Sequence, residues 1–171
     1  MAGTINPEDA LVAVKTILAA DLPAKLNTLD TEYSATGDEV LADVAKYWLA
    51  PQERYQGQDL PALLLVAVET EWDQERGEQE AVYQHRLALE LTLRGNNRTA
   101  TYAPDELLTV KLQRTVRGVI ETLEAKRQLT VSSTKNADYL AFESVAYSEL
   151  DASESHLEKR AEMTFLVLVT V

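Results

Sequence analysis

Residues 82–94, VYQHRLALELTLR, alternate in hydropathy almost without fault. Tyr83, His85, Leu87, Leu89, Leu91 and Leu93 fall on one side, and Val82, Gln84, Arg86, Ala88, Glu90 and Thr92 on the other. Period two over that length predicts a strand with one buried face. Gly95, Asn96 and Asn97 then end it. At about 3.3 Å per residue the strand would span roughly 43 Å, far beyond the usual length of about 5–6 residues.

A second stretch behaves alike. In residues 157–171, Ala161, Met163, Phe165, Val167 and Val169 face one way, and Glu158, Arg160, Glu162 and Thr164 the other. Past Phe165 both sides turn apolar, which predicts cover on both faces. Strands this long either bend across the core or project as an arm. An arm's unpaired backbone groups invite pairing with a neighbouring subunit.

Upstream, residues 60–70 (LPALLLVAVET) are an unbroken apolar run, read as a strand covered on both faces or central in a sheet. Residues 71–80 (EWDQERGEQE) follow as an acidic, mobile loop turning at Gly77. Asn6, Pro7, Glu8 and Asp9 announce a first helix, with a stripe of Leu11, Val14, Leu18, Leu22 and Leu26. Pro23 is expected to kink or restart it near Leu22. Residues 27–37 read as a loop. Residues 38–49 read as a second helix, with Val40, Leu41, Val44, Tyr47 and Trp48 on its apolar side.

Downstream, Pro104, Asp105 and Glu106 open a third helix striped by Leu108, Leu112, Val116, Ile120 and Leu123. Residues 129–137 read as a mobile loop or a weak strand. Residues 139–150 alternate less cleanly, and residues 151–155 are a polar turn. The sum is one α+β domain over residues 1–171, in the order α-α-β-β-α-β-β. It predicts an antiparallel four-stranded sheet of long hairpins, with helices mainly on one face.

Composition narrows the function classes. The chain has 171 residues, with 16 Lys+Arg against 28 Asp+Glu and a net charge of −12. That disfavours a nucleic-acid backbone binder, which needs a basic surplus, and docking on an anionic membrane. There is no cysteine, hence no disulfide, thiolate metal site or cysteine nucleophile. The opening MAGTINPEDALVAV lacks a basic n-region, so no signal peptide is expected. No apolar run approaches the roughly 20 residues of a membrane span.

Catalytic patterns are missing. There is no GxGxxG, GxxxxGK[ST] or GxSxG. His156 and Glu158 share a strand face, and His85 begins the other long strand. Two ligands are fewer than a zinc site needs, and a surface or interface histidine is expected instead. The acid pairs Glu69/Glu71, Glu78/Glu80 and Asp105/Glu106 fall in turns and at a helix start, where solubility and the helix dipole account for them. No enzyme, cofactor or metal is expected.

Charges and aromatics point to contacts. Lys111, Arg114 and Arg117 form the one basic stripe on this acidic chain, suited to an acidic loop of a neighbouring subunit. Trp72, alone among acids, suits packing on a neighbour's Lys or Arg stems. Tyr47, Trp48 and Tyr55 flank Pro51, as a small core sealing one end of the sheet or as an interface anchor.

The order of elements resembles the tail-terminator and tail-completion proteins of long-tailed bacteriophages. The carrying features are the N-terminal amphipathic helix and Pro61-Ala62-Leu63-Leu64-Leu65-Val66 before a polar loop. The long strand at 83–93, the helix at 107–123 and two late strands at 139–150 and 157–171 complete the pattern. The likeness covers nearly the whole chain as an order of elements and has no invariant site residue to carry over. The long region 21–58 keeps another head–tail neck protein in view.

The resemblance implies a virion tail or neck protein, assembled in the host cytoplasm. It implies a homo-oligomeric ring, commonly hexameric, that halts tail-tube polymerisation and joins the tail to the head connector. Its partners would be itself, the tail-tube protein and connector proteins, with DNA passing unbound and no membrane involved. On that view Glu69, Glu71, Asp73, Glu75, Glu78 and Glu80 line an acidic lumen or rim, and Trp72, Lys111, Arg114 and Arg117 lie at the protein interface. The competing classes are a protein-only adaptor of an immunity or secretion system and a small cellular α+β ligand-binding module or enzyme. The last would need a concave site with convergent polar groups.

Overall fold

The computed structural model describes residues 6–49, 60–73, 82–126, 128–132, 135–137, 139–153 and 156–170. Helix α1 spans Pro7–Glu32. The Asn6 side chain accepts from the Glu8 amide, and the Asp9 carboxylate accepts from the Asn6 amide. α1 continues through Pro23 as one helix, so the restart considered near Leu22 does not occur. Leu18, Leu22, Leu26 and Leu29 are buried in one continuous stripe through it, and that packing holds the helix across the hydrogen bond Pro23 cannot donate.

The expected second helix is absent. Its residues form a 3₁₀ turn at Gly37–Glu39, an extended segment, and a short strand β1, Lys46–Trp48. Leu41 and Val44 still reach the core, but from an extended chain. Asp30 fixes this segment by accepting the Leu41 amide on both carboxylate oxygens, at 3.0 and 3.2 Å.

Strands β2 (Ala62–Asp73) and β3 (Val82–Gly95) precede helix α2 (Pro104–Glu124). A small hairpin, β4 (Leu129–Ser132) and β5 (Lys135–Ala137), leads to β6 (Tyr139–Ser153) and β7 (His156–Thr170). The main sheet has five strands in the order β1-β2-β3-β7-β6. β1 runs parallel to β2, and every other pairing is antiparallel. The sheet is therefore mixed, rather than four antiparallel strands. Residues 71–73 belong to β2, not to the acidic loop, and residues 129–132 and 135–137 take the weak-strand reading.

Both helices lie on one face. The core fills the space between that layer and the sheet. Val14, Leu18 and Leu26 of α1 and Leu112, Val119 and Leu123 of α2 meet Leu63, Leu65, Leu87, Leu89 and Leu91 of β2 and β3. β7 adds Met163, Phe165 and Val167. The two alternating stretches thus bury the faces their patterns predict. The cover expected on the opposite side of 166–168 is only partial, since Leu166 and Leu168 are half-buried. Helix α1 crosses α2 at Gly118, where an added Cβ would lie 2.8 Å from Leu26 Cδ2.

Candidate assembly surface

The face of the sheet away from the helices is set by strand register. Opposed residues of neighbouring strands share a face. Glu71, Gln84, Leu168 and Tyr139 form one row across it, and Glu69, Arg86, Leu166 and Ala141 the next. Leu64, Val66, Leu166 and Leu168 are half-buried there, whereas Leu63, Leu65 and Val167 on the helix side are fully buried. Among the described residues, this face carries Glu69, Glu71, Glu90, Glu158 and Glu162, with Glu143 reaching it from β6, against Arg86, Arg94 and Arg160. Arg94 and Arg160 are paired with Glu158 and Glu90, at 2.7 and 3.0 Å.

Glu69 and Glu71 thus stand on a sheet face rather than in a loop. Glu75, Glu78 and Glu80 lie outside the described residues, as do Tyr55 and the side chains of Trp72 and Asp73. The backbone of Trp72 pairs with Tyr83 in the β2–β3 ladder.

The basic stripe is occupied within the chain. Arg117 forms ion pairs with Glu32 and with Glu121, and donates to the Tyr33 hydroxyl at 2.7 Å. The hydrogen bond to Glu32 is the largest influence raising its pKa. Lys25, first, and Arg117 hold the Glu121 carboxyl below its ordinary value. Arg114 stacks over the Tyr33 ring, 4.3 Å from its centroid, and its Nη1 is buried without a hydrogen-bond partner. Lys111 donates to the Asp38 carbonyl at 3.0 Å, and burial pulls its ammonium pKa down against the opposing pull of Asp38 and Asp30. The stripe clamps the end of α1 and the turn after it.

A cleft is lined by Asp38, Pro61, Leu93, Asn97, Pro104 and Lys111. Its polar groups are spent on one another, with Asn97 Nδ2 donating to Asp38 Oδ1 at 3.1 Å beside the Lys111–Asp38 bond. His85, expected at the surface or an interface, is buried in the chain instead. It is 1% exposed, 3.1 Å from the Thr70 hydroxyl through Nδ1 and stacked with Tyr83. The side chain of His156 is outside the described residues. Among the described residues, no three His, Asp or Glu side chains are set to hold a metal, and no helix is long and apolar enough to cross a membrane.

Tyr47 partly fulfils its expected sealing role. It packs on the core, its hydroxyl is 3.4 Å from the Leu18 carbonyl, and burial pushes its pKa up to about 12. Trp48 shares the register position of Leu64 on the opposite face.

Sequence reading missed the two sheet edges. β1 pairs with only Ala62–Leu64 of β2, so the stretch from Leu65 to Asp73 has one side unpaired among the described residues. β6 ends the sheet on the other side. β2 carries a β-bulge at Val68 and β6 one at Glu143, with a second irregularity in β6 between Leu150 and Ser153. Val68 is 60% exposed, Tyr139 40% and Tyr147 50%. The signal was the imperfect alternation of 139–150. Leu140 and Phe142 point to the core, one extra residue intervenes, and Val145 and Tyr147 continue the same side in the opposite phase.

No family model and no curated protein matches the chain. Among solved structures, it is similar to a chain described as "Virion of native gene transfer agent (GTA) particle". The match covers 94% of each chain at 12% identity, with a TM-score of 0.48.

Proposed function

We propose that this chain is a structural protein of a long-tailed phage virion. It forms a ring at the head-proximal end of the tail, ends tail-tube polymerisation and joins the tube to the head connector. It assembles in the host cytoplasm and resides in the tail or neck. Six copies is the stoichiometry implied by the resemblance in element order.

The observation that supports this reading is the sheet. Four strands of 12–15 residues carry the two helices on one face, and among the described residues β6 and the stretch of β2 beyond Leu64 each have one side unpaired. An exposed edge that is not blunted invites pairing with another strand. An edge on each side gives a heterologous contact, and such contacts close into rings when the rotation permits. With the helices outward, the face bearing Glu69, Glu71 and Glu162 would look to the axis. An acidic wall lets a polyanion pass without holding it.

The direct test adds the purified chain to polymerising tail-tube protein and measures tube length by electron microscopy. Tubes should stop growing and carry a ring at one end. Tubes that keep lengthening at saturating amounts of the chain would refute the terminator role. Duplex DNA should show no mobility shift at physiological salt, whereas tight, salt-dependent binding would contradict the conduit.

A further inference from the structure

We infer that copies join by laying β6 of one chain antiparallel beside the open stretch of β2 in the next, in one defined register. This rests on the reading that the chain assembles with itself, and it names the surfaces and the partner, a second copy.

Direction comes first. β2, β3, β7 and β6 alternate in sense across the sheet, so β2 and β6 run oppositely. Two copies set side by side by rotation about an axis along the strands therefore meet as an antiparallel pair. That pairing gives both edges backbone partners without turning either copy over.

The bulges fix the register. A single bulge on an edge usually blunts it, because the extra residue throws the ladder out of phase. Here Val68 lies between residues aligned with Leu87 and Arg86, and Glu143 between residues aligned, through β7, with Leu87 and Ala88. The insertions sit at adjoining levels on opposite edges, so they compensate when the edges meet. Glu71 then faces Tyr139 and Glu69 faces Ala141 of the next copy. Beyond the bulges, Val66 faces Ser144 and Leu65 faces Val145; the join ends there, because β1 already lies along Ala62–Leu64, and β6 from Ala146 onward must turn away from that edge. A one-residue slip would send every side chain to the wrong face.

Charge and burial agree with this register. Glu69, Glu71 and Glu143 would each lie opposite a neutral residue, whereas a two-residue slip in one direction sets Glu69 against Glu143. Directly opposed like charges are destabilising in a ladder. The join would also cover Val68 and Tyr139, large apolar side chains that stand exposed on these edges.

The chain has no cysteine, which allows a clean disulfide trap. Glu69→Cys and Ala141→Cys proteins are mixed in equal amounts and oxidised. Within one chain these positions are separated by β3 and β7, about 14 Å at the usual strand spacing and beyond disulfide reach. The mixed 69–141 dimer should exceed either like-edge dimer by about tenfold, because directly opposed Cβ atoms come within disulfide range. Glu71→Cys with Tyr139→Cys should behave alike, and Glu69→Cys with Glu143→Cys should lag. A preponderance of 69–69 or 141–141 links, or faster coupling of 69 with 143, overturns the proposal. Light scattering on the unmodified chain separates the failures. An assembled chain without the 69–141 link rejects the register alone, whereas a permanent monomer rejects assembly itself.

Discussion

Arg86 Nε donates to Glu143 at 3.0 Å across the full width of β7. The same guanidinium forms an ion pair with Glu69 on the other side, so one arginine of β3 touches a carboxylate on each edge strand. Its pKa is raised, chiefly by the hydrogen bond to Glu143. The bulge at Glu143 brings that carboxylate into reach of the open face. Arg86 thereby neutralises acids of both edges, which would otherwise repel one another where β6 of one copy meets β2 of the next.

Arg86→Ala should therefore leave the monomer folded and weaken its assembly. The loss should be large at low salt and fade at high salt, where edge carboxylates are screened. Sedimentation velocity over a salt series checks this. Equal loss at every ionic strength would rule out the electrostatic role.

Truncation in the core should act on the fold. Leu89 is fully buried, and Phe165 is buried with its ring edge-on to Phe142, centroids 5.6 Å apart. Leu89→Ala and Phe165→Ala should each cost roughly 2–5 kcal/mol in urea unfolding. A change under about 1 kcal/mol would contradict tight packing at these sites.

Gly118 permits the close crossing of the two helices. A side chain there meets Leu26 at 2.8 Å and Leu22 and Leu29 at 3.4 Å. Gly118→Val should destabilise by about 1–3 kcal/mol through overpacking, measured by thermal or urea unfolding. Unchanged stability would mean that α1 can move away from α2 without loss.

Tyr47 supplies an alkaline signature. Its folded pKa of about 12 lies above the ordinary value of 10.0, mainly through burial. Its stabilising contribution is present below about pH 10 and is lost as pH rises through 12, because only the unfolded chain ionises freely in that window. Tyr47→Phe should lessen the fall in stability between those values. Identical alkaline limbs in the two proteins would refute the assignment.

The long strands were legible because their large apolar residues fall on the helix side. Leu87 through Leu93 and Ala161 through Phe165 carry a clean period-two signal, which fades only where Leu166 and Leu168 make both sides apolar. β1 was misread because Val40, Leu41, Val44, Tyr47 and Trp48 sit at spacings a helix would also use. A parallel pairing with Ala62–Leu64 decides the matter, and a partner in another strand leaves no mark in a short window. The α1 stripe overrode Pro23 in the same way. Lys111, Arg114 and Arg117 were visible as a stripe, but their partners Asp38, Tyr33 and Glu32 come from far along the chain. Composition could show the surplus of acid; it could not show that Glu32 and Glu121 were committed to Arg117.

Self-assembly is the claim on which the rest depends, and light scattering with size separation tests it most directly. The unmodified chain should be run from low to high micromolar concentration at several ionic strengths. The expected result is a discrete closed species of several 19.0 kDa copies, seen as a ring by negative-stain microscopy. A mass of one copy under every condition would contradict it.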